Sequence, residues 1–320
     1  MTQIQPQAIW HIAPRVSEIR QAALGDGDVI VRMVASLISR GTERLIFEGR
    51  IPQSEYARMR APFQEGDFPY PVKYGYSAVG QVEAGPKDLI GRHVFALHPH
   101  QTVFALPIEA AFPADAYSPR LTLAANVETA LNALWDAGAG PGDRICVVGG
   151  GVVGCLVAWL SGRLPGADVT LVDHIATRKN VAAHLSVNFA QTTENLNDCD
   201  ITFHCSASQS GLSDAMHTLG DEGKLIEMSW YGDTAIPAPL GGAFHSRRLQ
   251  LISSQVGKVS PSRRPRWDYG RRLAKAIELT ADPALDCLID NRVPFFEAAA
   301  KMPEILAKDA TNLTSLITYD

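Results

Sequence analysis

The segment Arg144-Ile-Cys-Val-Val-Gly-Gly-Gly-Val-Val-Gly154 constrains the fold more than any other stretch of the chain. It reads as an apolar strand, a glycine turn and a helix running from Val152 to about Leu164. A second apolar run, Asp168-Val-Thr-Leu-Val172, follows and leads into Asp173, nineteen residues after Gly154. Gly149, Gly151 and Gly154 stand at Gly-x-Gly-x-x-Gly spacing, and each has a distinct task in that pattern. Gly149 allows the tight turn. Gly151 lets the backbone approach a pyrophosphate. Gly154 lets the helix pack close on the strand. The helix start, Val152 and Val153 with Gly154, offers backbone N–H groups to that phosphate. The whole unit implies a bound dinucleotide.

Asp173 bears on which dinucleotide. A carboxylate at the end of the second strand accepts hydrogen bonds from an adenosine ribose diol and repels a 2′-phosphate. The expected cofactor is therefore NAD, with NADP disfavoured. His174 and Arg178 are close enough in sequence to soften that preference and are counted as candidate cofactor contacts.

The rest of the chain sets the frame. At 320 residues it is longer than one core usually serves, so two domains are expected. A hydrophobic fraction of 46% with 20% charge is that of an ordinary globular protein. The net charge of −5 argues against nucleic acid or an anionic membrane as the general partner. The opening residues, Met1 to Gln7, lack a basic-then-apolar targeting pattern, and the most apolar stretch, Val147 to Leu160, is broken by glycines. The five cysteines include no Cys-x-x-Cys pair and suggest reduced thiols in a cytoplasmic protein.

Residues 1–113 carry short apolar runs between glycine and proline turns: Asp28–Val34, Ser77–Val82, Gly91–Leu97 and Thr102–Leu106. Such a pattern predicts a mainly β domain. From about residue 114 strands alternate with helices, which predicts a doubly wound parallel sheet over 114–290. The tail, 291–320, ends in the apolar run Thr314–Tyr319, which needs a sheet to bury it and is assigned to the first domain.

This layout resembles the medium-chain dehydrogenase/reductase superfamily. Ser39-Arg-Gly-Thr-Glu43 resembles its Cys-Gly-Thr-Asp turn, and Lys73-Tyr-Gly-Tyr-Ser-Ala-Val-Gly80 its Gly-His-Glu-x-x-Gly turn. Asn126-Val-Glu-Thr-Ala130 resembles the approach to the nucleotide fold, and Gly140 to Gly149 its first strand. The Ser-x-Gly-Thr-Glu motif and the compact length are most similar to the group containing the 2-desacetyl-2-hydroxyethyl bacteriochlorophyllide dehydrogenase. The resemblance implies an α/β fold in which a Rossmann sheet follows a GroES-like β domain. It also implies hydride transfer between a nicotinamide and a small molecule, Thr129 as a further cofactor contact, and a homodimer or higher homo-oligomer.

The departures from the pattern matter as much. Zinc-dependent members take ligands from positions where this chain has Arg40, Tyr76 and Ser77, and a four-cysteine lobe is missing. An arginine cannot ligate a metal, so no zinc is expected. Without zinc, Thr42 and Tyr76 are the candidates to relay a proton or hold an oxyanion. Arg40 could bind a carboxylate, which puts anionic small molecules among the candidate substrates, and Glu43 could anchor Arg40 or Thr42. His98 and His100 come next. The basic run Lys258–Arg266, with Arg271 and Arg272, reads as a solvated loop or an anion-binding one. Two other functions fit the same motifs: a metal-free quinone or enoyl reductase, and a dinucleotide-binding protein that has lost catalysis.

Overall fold

The computed structural model describes residues 5–319. Part of the opening stretch read for a targeting pattern, residues 1–4, lies outside it, as does residue 320. The chain divides into two compact units, 1–125 with 289–320 and 126–288. The sequence pointed to 113/114 and 290/291 instead. The first break falls later because Pro119–Leu123, a 3-10 turn capped by Ser118, packs on the strands Val29–Ile38 and Ala78–Ala84 of the first unit.

The first unit is mainly β. A seven-stranded sheet runs Asn291–Pro294, Ser315–Thr318, Val29–Ile38, Ala78–Ala84, His93–Ala96, Phe112–Ala114, with Val103–Leu106 pairing beside Val29–Ile38. Ser315–Thr318 pairs antiparallel with the end of Val29–Ile38, Ser315 opposite Ile38 and Thr318 opposite Ala35. Its Leu316 and Ile317 are fully buried. A smaller sheet holds Val16–Gln21, Gln7–Ala13, Val72–Lys73 and Glu65–Gly66. Helix Phe295–Ile305 lays Phe295, Ala298, Met302 and Ile305 into a core with Ile9, Ile38, Phe47 and Ile317. That face repeats at three- and four-residue steps, as an amphipathic helix must.

The second unit carries a six-stranded parallel sheet ordered Asn188–Ala190, Asp168–Val172, Arg144–Val148, Cys199–His204, Leu219–Glu227, Gln250–Ser253. The order reverses between Arg144–Val148 and Cys199–His204, the switch point at which such sheets bind ligands. Ile145, Cys146 and Val147 are buried because the sheet is covered on both faces. The glycine-turn helix is Val152–Ser161, shorter than the run to Leu164. Among the described residues no helix is long and apolar enough to cross a membrane.

Candidate functional site

The glycine turn is built as its residues dictate. Gly149 sits at φ +110, and a Cβ there would lie 2.6 Å from the Ser206 nitrogen. At Gly154 a Cβ would meet the Gly149 oxygen at 1.9 Å, so the helix reaches the turn only because the side chain is missing. Gly151 is the N-cap of Val152–Ser161 and is exposed, with nothing within 4 Å of where its Cβ would stand. A tight corner explains the first two glycines. It does not explain Gly151, whose open space is what a close-approaching phosphate requires. Val152 is buried and Val153 half-buried.

Asp173 is held rigidly beside the turn. Its Oδ2 accepts from the Gly150 N–H at 2.6 Å and its Oδ1 from the Ile175 N–H at 2.8 Å. The ring of His174 is open to solvent, with Nδ1 3.6 Å from Asp173 Oδ1. Arg178, the first residue of helix Arg178–His184, is buried at 6% exposure. The sequence counted it, with His174, as a candidate cofactor contact, and little of it reaches the surface. Thr129 stands half-buried on helix Ala124–Ala137.

The residues singled out in the first unit gather around helix Arg40–Phe47, where the sequence suggested only a turn. Ser39 is its N-cap, and Glu43 reaches back so that Oε1 accepts from the Ser39 N–H at 2.7 Å. This resembles a capping box, with the carboxylate one position further along. Glu43 is fully buried, and its Oε2 pairs with His100 Nε2 at 3.1 Å. The chain continues from His100 Nδ1 to Ser36 Oγ at 2.8 Å, and from Ser36 Oγ to the Tyr319 hydroxyl at 2.7 Å. Glu43 thus anchors His100 and the helix start.

Tyr76 and Thr42 do come together. The Tyr76 phenol lies beside the hydroxyls of both Ser39 and Thr42. Burial first, then the Glu43 carboxylate, pushes its pKa well above the usual phenol value, while those two hydroxyls pull it part of the way back. Tyr76 is therefore neutral and a donor at any physiological pH. The preceding Gly75 has φ +130, and a Cβ there would press on the His100 ring at 3.1 Å. Tyr74 packs edge-on against Tyr76 with ring centroids 6.0 Å apart. Ser77 turns away and donates to the Thr122 carbonyl.

Arg40 is engaged elsewhere. Its guanidinium donates to the Asn312 carbonyl at 2.6 Å and the Ala307 carbonyl at 3.0 Å, tying the helix start to the tail. That corrects its reading as a carboxylate-binding group. The histidine pair also separates. His98 stacks on Phe104 at 3.8 Å and bonds the Pro99 carbonyl, and burial lowers its pKa to about 3. In the basic run, Arg272 is buried and binds Glu128 at 3.0 Å and Asn132 at 2.6 Å, while Arg263 and Arg271 lie over Trp135 and Trp267. Most of that charge therefore holds the second unit together.

Among the described residues no three His, Cys, Asp or Glu side chains gather as a metal-binding group. The hydroxyls of Ser39, Thr42 and Tyr76 with a guanidinium turned onto carbonyls are a poor donor set for zinc, which takes thiolate, imidazole or carboxylate.

No family model matches the chain, and no curated protein matches it. Solved structures do. L-idonate 5-dehydrogenase from Escherichia coli superposes with a TM-score of 0.78 at 13% identity, covering 98% of each chain. A putative zinc-binding dehydrogenase from Sinorhizobium meliloti, bound to NADP, gives 0.77 at 16%, covering 99% of this chain and 100% of its own. A short chain alcohol dehydrogenase from Escherichia coli, complexed with NADH, gives 0.76 at 14%, covering 98% and 99%. What the chain shares with them, from end to end, is the fold: a Rossmann-type parallel sheet in one unit and a mainly β first unit.

Proposed function

We propose that this protein is an oxidoreductase that moves a hydride between NAD(H) and a hydroxyl or carbonyl substrate without zinc. The observation that carries the proposal is the pairing of an open Gly151 N-cap with Asp173 fixed by two backbone N–H groups. When bound, the dinucleotide supplies the hydride; the chain's own residues bind, orient and handle protons. Gly151 and the first turn of Val152–Ser161 would take the pyrophosphate, and Asp173 the adenosine ribose. Arg178 is buried, and the Asp173 carboxylate itself repels a 2′-phosphate, which favours NAD. Relatives in fold are described with NADP and with NADH, so the fold alone does not choose.

The neutral Tyr76 phenol, tied to Thr42, is the group suited to donate to an oxygen that gains charge. Thr42 accepts and donates at once and can pass a proton onward. The resemblance of the Ser39–Glu43 motif to the bacteriochlorophyllide dehydrogenase-like group favours a hydroxyl as the substrate function. Zinc does not fit this donor set. The test is NADH oxidation by chelator-treated protein against a panel of aldehydes, ketones and enones, with elemental analysis alongside. Turnover of carbonyls by zinc-free protein supports the reading. Activity that appears only with stoichiometric zinc, or only with enones, replaces it.

A further inference from the structure

A polar cluster unused by this reading stands at the C-terminal ends of Cys199–His204 and Leu219–Glu227. The strand register puts His204 opposite Glu227. His204 Nδ1 lies 2.8 and 3.0 Å from the two Glu227 oxygens, and its Nε2 is 2.7 Å from Ser206 Oγ. Glu227 also accepts from the Ser229 N–H at 2.7 Å and the Tyr231 hydroxyl at 3.1 Å. The carboxylate, an acceptor gathering three donors, holds the imidazole proton on Nδ1. His204 Nε2 is then an acceptor, and the Ser206 hydroxyl donates to it. The Ser208 hydroxyl, 2.9 Å away, caps the helix Gln209–His217 through the Gly211 N–H and fixes Ser206 from the other side. Ser206 keeps lone-pair capacity and is partly exposed.

This arrangement is costly to build in a sheet end unless something uses it. His204 is fully buried. The backbone of Ser206 abuts the glycine turn, where a Cβ on Gly149 would come within 2.6 Å of it. If Asp173 takes the adenosine ribose on the Asp168–Val172 side and Gly151 the pyrophosphate, the other half of the dinucleotide must run across the switch point. That places it over the ends of Cys199–His204 and Leu219–Glu227.

We propose that Ser206, oriented by the His204–Glu227 pair, hydrogen-bonds the nicotinamide-bearing half of the dinucleotide, with His204 and Glu227 as positioning residues. The inference rests on the dinucleotide reading. The test is calorimetric titration of the full chain with NADH and with ADP, which lacks the nicotinamide and its ribose. Ser206→Ala should weaken NADH binding about tenfold, and Glu227→Gln about threefold, while ADP affinity holds within about twofold in both. Unchanged ADP affinity also reports that each variant is folded. Equal loss for both ligands, or no loss for either, overturns the inference while leaving dinucleotide binding intact. A wild-type chain that binds neither ligand removes the dinucleotide reading, and this inference with it.

Discussion

Tyr76 and Thr42 set their hydroxyls side by side and lie 34 positions apart in sequence, from residue 42 to residue 76. Motif order alone singled them out, and the structure brings their hydroxyls together. Tyr76→Phe and Thr42→Ala should each lower kcat by about 10²-fold with NADH affinity level, read by steady-state kinetics and titration. Full activity in both variants would move the proton chemistry elsewhere. Arg40 teaches the opposite lesson. A cation next to a candidate site looked like a substrate anchor, but its partners are carbonyls of residues 307 and 312, which no local pattern reveals. Arg40→Met should therefore lower stability by on the order of 2 kcal/mol, seen as a reduced Tm, and leave the substrate KM nearly unchanged. A raised KM with unchanged Tm would restore the anion-binding role. Glu43 was read as an anchor for Arg40 or Thr42; its bonds to the Ser39 N–H and to His100, 57 residues away, follow from no local pattern.

Among elements, the glycine-turn helix was the most legible, because each glycine answers to a separate steric demand. Its end was not: the helix closes at Ser161 and the chain turns through Gly162. The two kinds of glycine give opposite expectations. Gly151→Ala meets open space, so the fold and Tm should hold while a methyl intrudes on the pyrophosphate and NADH affinity falls by ~10-fold or more. Gly154→Ala drives a methyl to 1.9 Å from a backbone oxygen, so the helix must shift and both Tm and binding should fall. Thermal melts paired with NADH titration distinguish the two. If Gly151→Ala binds NADH normally, the open space at the N-cap has no ligand. The Arg40–Phe47 helix was missed as a helix because Gly41 and Thr42 are poor helix formers and tertiary burial of Leu45, Ile46 and Phe47 overrides them.

At the scale of the molecule, the order of a β-rich part followed by alternating strands and helices was readable, since short apolar runs between turns give way to alternating strands and helices from about residue 114. The exact division was not, because Pro119–Leu123 belongs by packing to one unit and by sequence to the next. Ser315–Thr318 sits inside the seven-stranded sheet, so deleting residues 310–320 should strip a buried strand and leave the first unit unfolded, by loss of near-ultraviolet dichroism. Acid should act through buried histidines. His11 and His98 both have pKa values lowered by burial to about 3 from 6.5. The unfolded chain then binds protons that the folded chain refuses, so stability is full above about pH 6.5 and is lost as pH falls toward 3. The Tm should decline across that window, and less steeply in His98→Asn.

The central claim is that the Gly149–Gly154 turn and Asp173 hold NAD. Direct titration of the purified protein with NADH and NADPH tests it most simply. The account predicts that NADH binds tighter by about tenfold or more, and that Asp173→Ser narrows the gap. Tighter binding of NADPH, or no binding of either nucleotide, would contradict it.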